Sequence, residues 1–196
     1  MAEVSYDPQT ALIVVDVQND FASPDGSLYV SGGEEVAPLI NRASEQARAS
    51  GGRVIYTADW HPDSTPHFAK DGGIWPVHCV GDTWGAEFHL DLVVDGPVVR
   101  KGVNGEDGYS GFTTRDPVTL GTVPTELPKL LADAGITKLV VAGLATDYCV
   151  KSTVLDALEQ GFPAWLLAEA IRAVDLEEGD GDRALAEVVA AGCVIV

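Results

Sequence analysis

Short runs of apolar and β-branched residues, separated by stretches with helical spacing, recur along the whole chain, and this alternation limits the fold more than any other feature. The runs are ALIVVDV (11–17), RVIYTAD (53–59), GPVVRKG (96–102), KLVVAGL (138–144), AWLLAEA (164–170) and CVIV (193–196). Several are apolar at nearly every position rather than every second one, so they have no solvent face and belong in a parallel sheet covered on both sides. Between them lie helical patterns at 34–52, closed by glycine, at 124–135, with Pro124 in the first turn, one carrying Cys149 at its start, and one around 183–191. Right-handed crossovers then give an α/β fold, a doubly wound, mainly parallel sheet of about six strands with helices on both faces. Such sheets bind ligands beyond the carboxyl ends of their strands, and chemistry is expected there.

At 196 residues the chain suits a single domain, 1–196, with no repeat or linker. Its net charge of −18 repels phosphate backbones and argues against a nucleic-acid partner. No apolar stretch approaches the roughly 20 residues that cross a bilayer, and the first residues lack the basic and small-residue pattern of a signal peptide. Three cysteines, an odd number, point away from a disulfide framework and toward a reducing cytoplasm. Whether the chain forms a homo-oligomer is left open. Two irregular stretches, 19–33 and 60–95, are long enough to be functional loops.

The strand ends carry the reactive residues. The first run holds Asp16 among apolar neighbours, where a carboxylate must be paired, protonated or used as a cap. The second ends at Asp59, with His61 two residues on and His67 and His78 in the following loop. One aspartate with three histidines is a nitrogen and oxygen ligand set for Zn²⁺, Fe²⁺ or Mn²⁺, the alternative being ordinary loop hydrogen bonding. The third ends at Lys101, which either snorkels to solvent or projects a cation between Asp16 and Cys149. Cys149 follows the fourth run. A cysteine near a helix start is often a small buried hydrophobe, yet the amide dipoles there favour a thiolate. Asp16 would supply the base, and the N–H groups of Ala145 and Cys149 an oxyanion hole. Cys79 and Cys193 read as packing residues, and His89 lacks metal-binding company. There is no nucleophile elbow, phosphate-binding loop or dinucleotide fingerprint.

VVDVQNDF, ADWHPDSTPHF, WPVHCV, GAEFH, VVRKG, YSGF and GLATDYCV stand in this order across nearly the whole chain. Together they resemble the nicotinamidase/pyrazinamidase branch of the isochorismatase-like cysteine hydrolases. The resemblance implies a catalytic triad of Asp16, Lys101 and Cys149, with Asp59, His61 and His78 as metal ligands and His67 as one that some members lack. It implies one divalent ion, zinc ahead of iron or manganese, and an aromatic pocket of Phe21, Trp75 and Tyr109. A cis bond between Leu144 and Ala145 is a further implication. The implied reaction converts nicotinamide, and pyrazinamide, to the acid and ammonia through a thioester, serving NAD salvage. Tyr148 departs from the pattern, since many relatives carry histidine there. The alternatives are a sister amidohydrolase acting on another small amide or carbamoyl compound, and a non-catalytic metal- or ligand-binding protein.

Overall fold

The computed structural model describes residues 4–196. Six parallel strands form the main sheet: β1 (Thr10–Val15), β2 (Arg53–Asp59), β3 (Val98–Lys101), β6 (Lys138–Leu144), β7 (Ala164–Arg172) and β8 (Val194–Ile195), in the order β3-β2-β1-β6-β7-β8. Every residue of β1 is buried, as an all-apolar strand at the centre of a parallel sheet requires. Its side chains alternate between two cores. Leu12 and Val14 pack on one face with Ile40 and Ala47 of α2 (Val36–Ala49). Ile13 and Val15 pack on the other with Leu131 of α3 (Leu127–Asp133), Val154 of α4 (Lys151–Glu159) and Val188 of α5 (Asp180–Ala190). The doubly wound reading holds.

The order reverses between β1 and β6, and their diverging connections open a crevice at the strand ends. At that point the backbone is shaped closely. β1 stops at Val15 because Asp16 turns into the left-handed region at φ 49°. Gly143, at φ 120°, lies against it, and a Cβ there would come within 2.1 Å of the Val15 carbonyl oxygen. Only glycine fits.

One local expectation fails. Pro124 does not open a helix: β5 (Thr122–Pro124) pairs antiparallel with β4 (Thr113–Arg115), and α3 begins only at Leu127. Pro124 ends a strand, and Pro128 takes the first-turn position instead. Cys149 does lie at the start of a helical segment, which opens with a five-residue π-helical turn, Thr146–Val150, and continues as α4. A short helix, α1 (Asn19–Ala22), interrupts the loop after β1. No helix among the described residues is long and apolar enough to cross a membrane.

Candidate active site

Asp16, Lys101 and Cys149 come from the ends of three strands and meet in the crevice. Asp16 is wholly buried; its carboxylate accepts a hydrogen bond from the Thr57 hydroxyl at 2.6 Å and from Lys101 Nζ at 2.7 Å. Lys101, the last residue of β3, does not snorkel. Its Nζ also lies 2.9 Å from Asp59 Oδ1, 3.2 Å from the Tyr109 carbonyl and 3.5 Å from Cys149 Sγ. Burial works against the ammonium, but the two carboxylates outweigh it and hold Lys101 well above its ordinary pKa. Burial raises Asp16 despite the lysine beside it. Cys149 is likewise pushed well above the ordinary thiol range, by burial first and by Asp16 and Asp59 in addition, with Lys101 pulling the other way. Burial and the two carboxylates thus oppose the turn dipole, and Cys149 Sγ lies within 4.8 Å of an Asp16 carboxylate oxygen, where that carboxylate can take its proton.

Beside this cluster stands a second one. Asp59 ends β2, and His61, His67 and His78 from the following loop bring their rings to centroid separations of 5.0 to 5.3 Å. One ring nitrogen from each lies within 4.8 Å of the others. His78 Nδ1 is bonded to the Pro76 carbonyl at 2.7 Å, and His67 Nδ1 to Asp107 Oδ1 at 2.7 Å, which leaves each Nε2 available. Both nitrogens of His61 are buried without a hydrogen-bond partner. Orphaned buried polar atoms of this kind are costly unless something binds them. Burial pushes His61 down to about 4 and also lowers His78, so both rings are neutral, as ligands must be. Burial alone would raise Asp59; Lys101, His61 and His78 instead hold it at about 2. The donor set fits a divalent ion. Asp16, Asp59 and Cys149 also converge within 4.8 Å, but the Lys101 ammonium stands among them and makes that group an ion-paired cluster rather than a cation site.

Both clusters open into one small pocket, about 360 Å³ of space including its mouth. Ala145 and Cys149 line it together with Asp59, His67 and His78. Phe21, Trp75, Tyr109 and Tyr148 supply its walls. Trp75 Nε1 donates to the Tyr109 hydroxyl at 3.0 Å, and the Tyr148 ring stands edge-on to Trp75 at 4.8 Å and to Tyr109 at 5.3 Å. The Leu144–Ala145 bond at the pocket floor is cis.

The Isochorismatase domain family model matches residues 10–196. The chain belongs to the isochorismatase family. It is 35% identical over 206 residues to the nicotinamidase of Escherichia coli K12, covering 96% of this chain and 94% of that protein. The crystal structure of the Pyrococcus horikoshii pyrazinamidase in complex with zinc is 38% identical, superposes with a TM-score of 0.86 and covers 96% of this chain and 99% of that one. That of PnC1 from L. infantum in complex with nicotinate is 36% identical, with a TM-score of 0.89 over 98% and 95% of the two chains.

Within this isochorismatase-family site, all of the residues singled out from the sequence converge. Four contributors were not foreseen. Thr57 bonds Asp16, and Asp107 bonds His67. Tyr148 joins the pocket wall. Gln18 accepts the Asp59 N–H at 2.8 Å and donates to the Asp59 carbonyl at 2.7 Å. Since β1 has already left the sheet at Asp16, the Gln18 side chain takes the place of the missing strand and fixes Asp59 through its backbone. The second polar residue of VVDVQNDF was the available signal for Gln18; Asp107 has no such motif around it.

Proposed function

We propose that this chain is a nicotinamidase, hydrolysing the carboxamide of nicotinamide, and of pyrazinamide, to the acid and ammonia in support of NAD salvage. The observation that carries the reading is the placement of a buried Asp16–Lys101–Cys149 cluster beside a three-histidine cluster, with Cys149, His67 and His78 lining one aromatic pocket. The nicotinamide ring lies between the aromatic walls with its carboxamide over Cys149. Asp59, His61, His67 and His78 would hold a divalent ion, zinc ahead of iron or manganese, which would supply Lewis acidity toward the pyridine nitrogen.

Cys149 Sγ attacks the carboxamide carbon as its proton passes to Asp16. Burial raises the affinity of Asp16 for that proton, and Lys101 keeps the carboxylate ionised until it arrives. The oxygen that gains charge is met by the N–H groups of Ala145 and Cys149. Asp16 then hands the proton to the departing nitrogen, ammonia leaves, and a thioester remains on Cys149. A water deprotonated by Asp16 hydrolyses it, which releases nicotinate and restores the thiol. Rapid quenching during turnover, followed by peptide mass analysis, should find the nicotinoyl group on the Cys149 peptide. Turnover with no adduct on that peptide at any time point would overturn the thioester route.

A further inference from the structure

Three histidines gather at the metal end of the pocket, but only His67 leans on a carboxylate. His78 is oriented by a peptide carbonyl and His61 by nothing polar. The Asp107 carboxylate that meets His67 Nδ1 at 2.7 Å is itself fixed by several restraints. Its Oδ1 also accepts the Gly108 N–H at 2.8 Å, and its Oδ2 accepts Arg115 Nη2 at 2.8 Å. Its backbone exchanges hydrogen bonds in both directions with Arg115, the last residue of β4. His67 sits in a long loop, and its own N–H reaches only the Thr65 hydroxyl, at 3.4 Å. The side chain of Asp107 thus reaches across 40 positions of sequence to anchor a ring that its own loop holds loosely.

We propose that Asp107 is the positioning residue for the metal site: it locks His67 in the Nδ1–H tautomer, aims Nε2 at the ion, and so makes His67 a full ligand in this chain. The inference rests on the metal site of the proposed function. A neutral imidazole has one N–H and one lone pair, and whichever nitrogen loses its hydrogen to a fixed acceptor leaves the other free to bind metal. A carboxylate in that position also makes the ring more basic as a ligand, and loss of such a partner typically costs about 10- to 100-fold in metal affinity. Arg115 acts differently. Its guanidinium is more than half exposed and touches only the far carboxylate oxygen, so it is not needed to hold the histidine.

Titration of the metal-stripped protein with Zn²⁺, and with Co²⁺ read by its visible spectrum, tests this. Asp107→Ala should bind each ion about 10- to 100-fold more weakly than wild type. Asp107→Asn, which keeps an acceptor without the charge, should fall between them, and Arg115→Ala should match wild type. Nitrogen-15 spectra of the metal-free rings add a readout that a merely structural role would not move. They should show His67 protonated at Nδ1 in wild type and in Arg115→Ala, and a tautomer mixture in Asp107→Ala. Unchanged affinity in Asp107→Ala, or an equal loss in Arg115→Ala, would overturn the proposal while leaving the metal site standing. Failure of wild type itself to bind either ion would overturn the metal site and the proposal together.

Discussion

At the scale of single residues, the site is an arrangement of buried charges that must be balanced. Lys101 carries one positive charge against Asp16 and Asp59, and the three are almost wholly shielded from water. Asp16→Asn removes the base but keeps the shape, so turnover should fall by about 10²- to 10⁴-fold with little change in folding; steady-state kinetics and a melting curve would check both halves. Lys101→Ala is different. It leaves two buried carboxylates without their partner and should cost about 3–5 kcal/mol of stability as well as activity, seen as a lower urea midpoint. A stable, active Lys101→Ala protein would refute the pairing. Iodoacetamide should label Cys149 first, because it lines the pocket, whereas Cys79 and Cys193 are buried away from it. Peptide mapping that found Cys193 labelled first would contradict this. The reactive residue types were legible from their places at strand ends. The electrostatic setting of Cys149 was not, because burial and two neighbouring carboxylates, absent from any local pattern, oppose the turn dipole.

At the scale of elements, strand ends and loops do the positioning. β1, β2 and β6 were readable because continuous apolar runs admit one environment in a parallel sheet. The β4–β5 hairpin was missed because its three-residue strands are too short and too exposed to show a period. Gly143→Ala should destabilise the fold, since the added Cβ meets the Val15 carbonyl and φ of 120° suits glycine alone; a melting temperature unchanged from wild type would contradict that close approach. The loop carrying the histidines should give the metal-free protein an acid-sensitive stability. His61 titrates at about 4 in the folded chain against an ordinary value of 6.5, so the unfolded chain takes up the proton first. The stability it confers is complete above pH 6.5 and is lost as pH falls toward 4. Urea midpoints of the metal-free protein should drop across that window more steeply in wild type than in His61→Phe, and parallel curves would count against the buried neutral imidazole.

At the scale of the whole molecule, the reversal of strand order between β1 and β6 explains why residues distant in sequence can act as one site. Parallel strands send their carboxyl ends to the same edge, so Asp16, Asp59, Lys101 and the Cys149 turn arrive together without long excursions. That convergence was legible once the parallel sheet was read. The hydrogen bonds that orient the ligands were not, since Gln18 and Asp107 act across 41 and 40 positions and no local pattern names their partners. The central claim is that this convergence hydrolyses an aromatic carboxamide through Cys149. Ammonia release from nicotinamide by the metal-loaded protein, beside its Cys149→Ala variant, tests it most directly. Release by wild type that vanishes in the variant is the expected result; no release by wild type, or equal release by both, would contradict it.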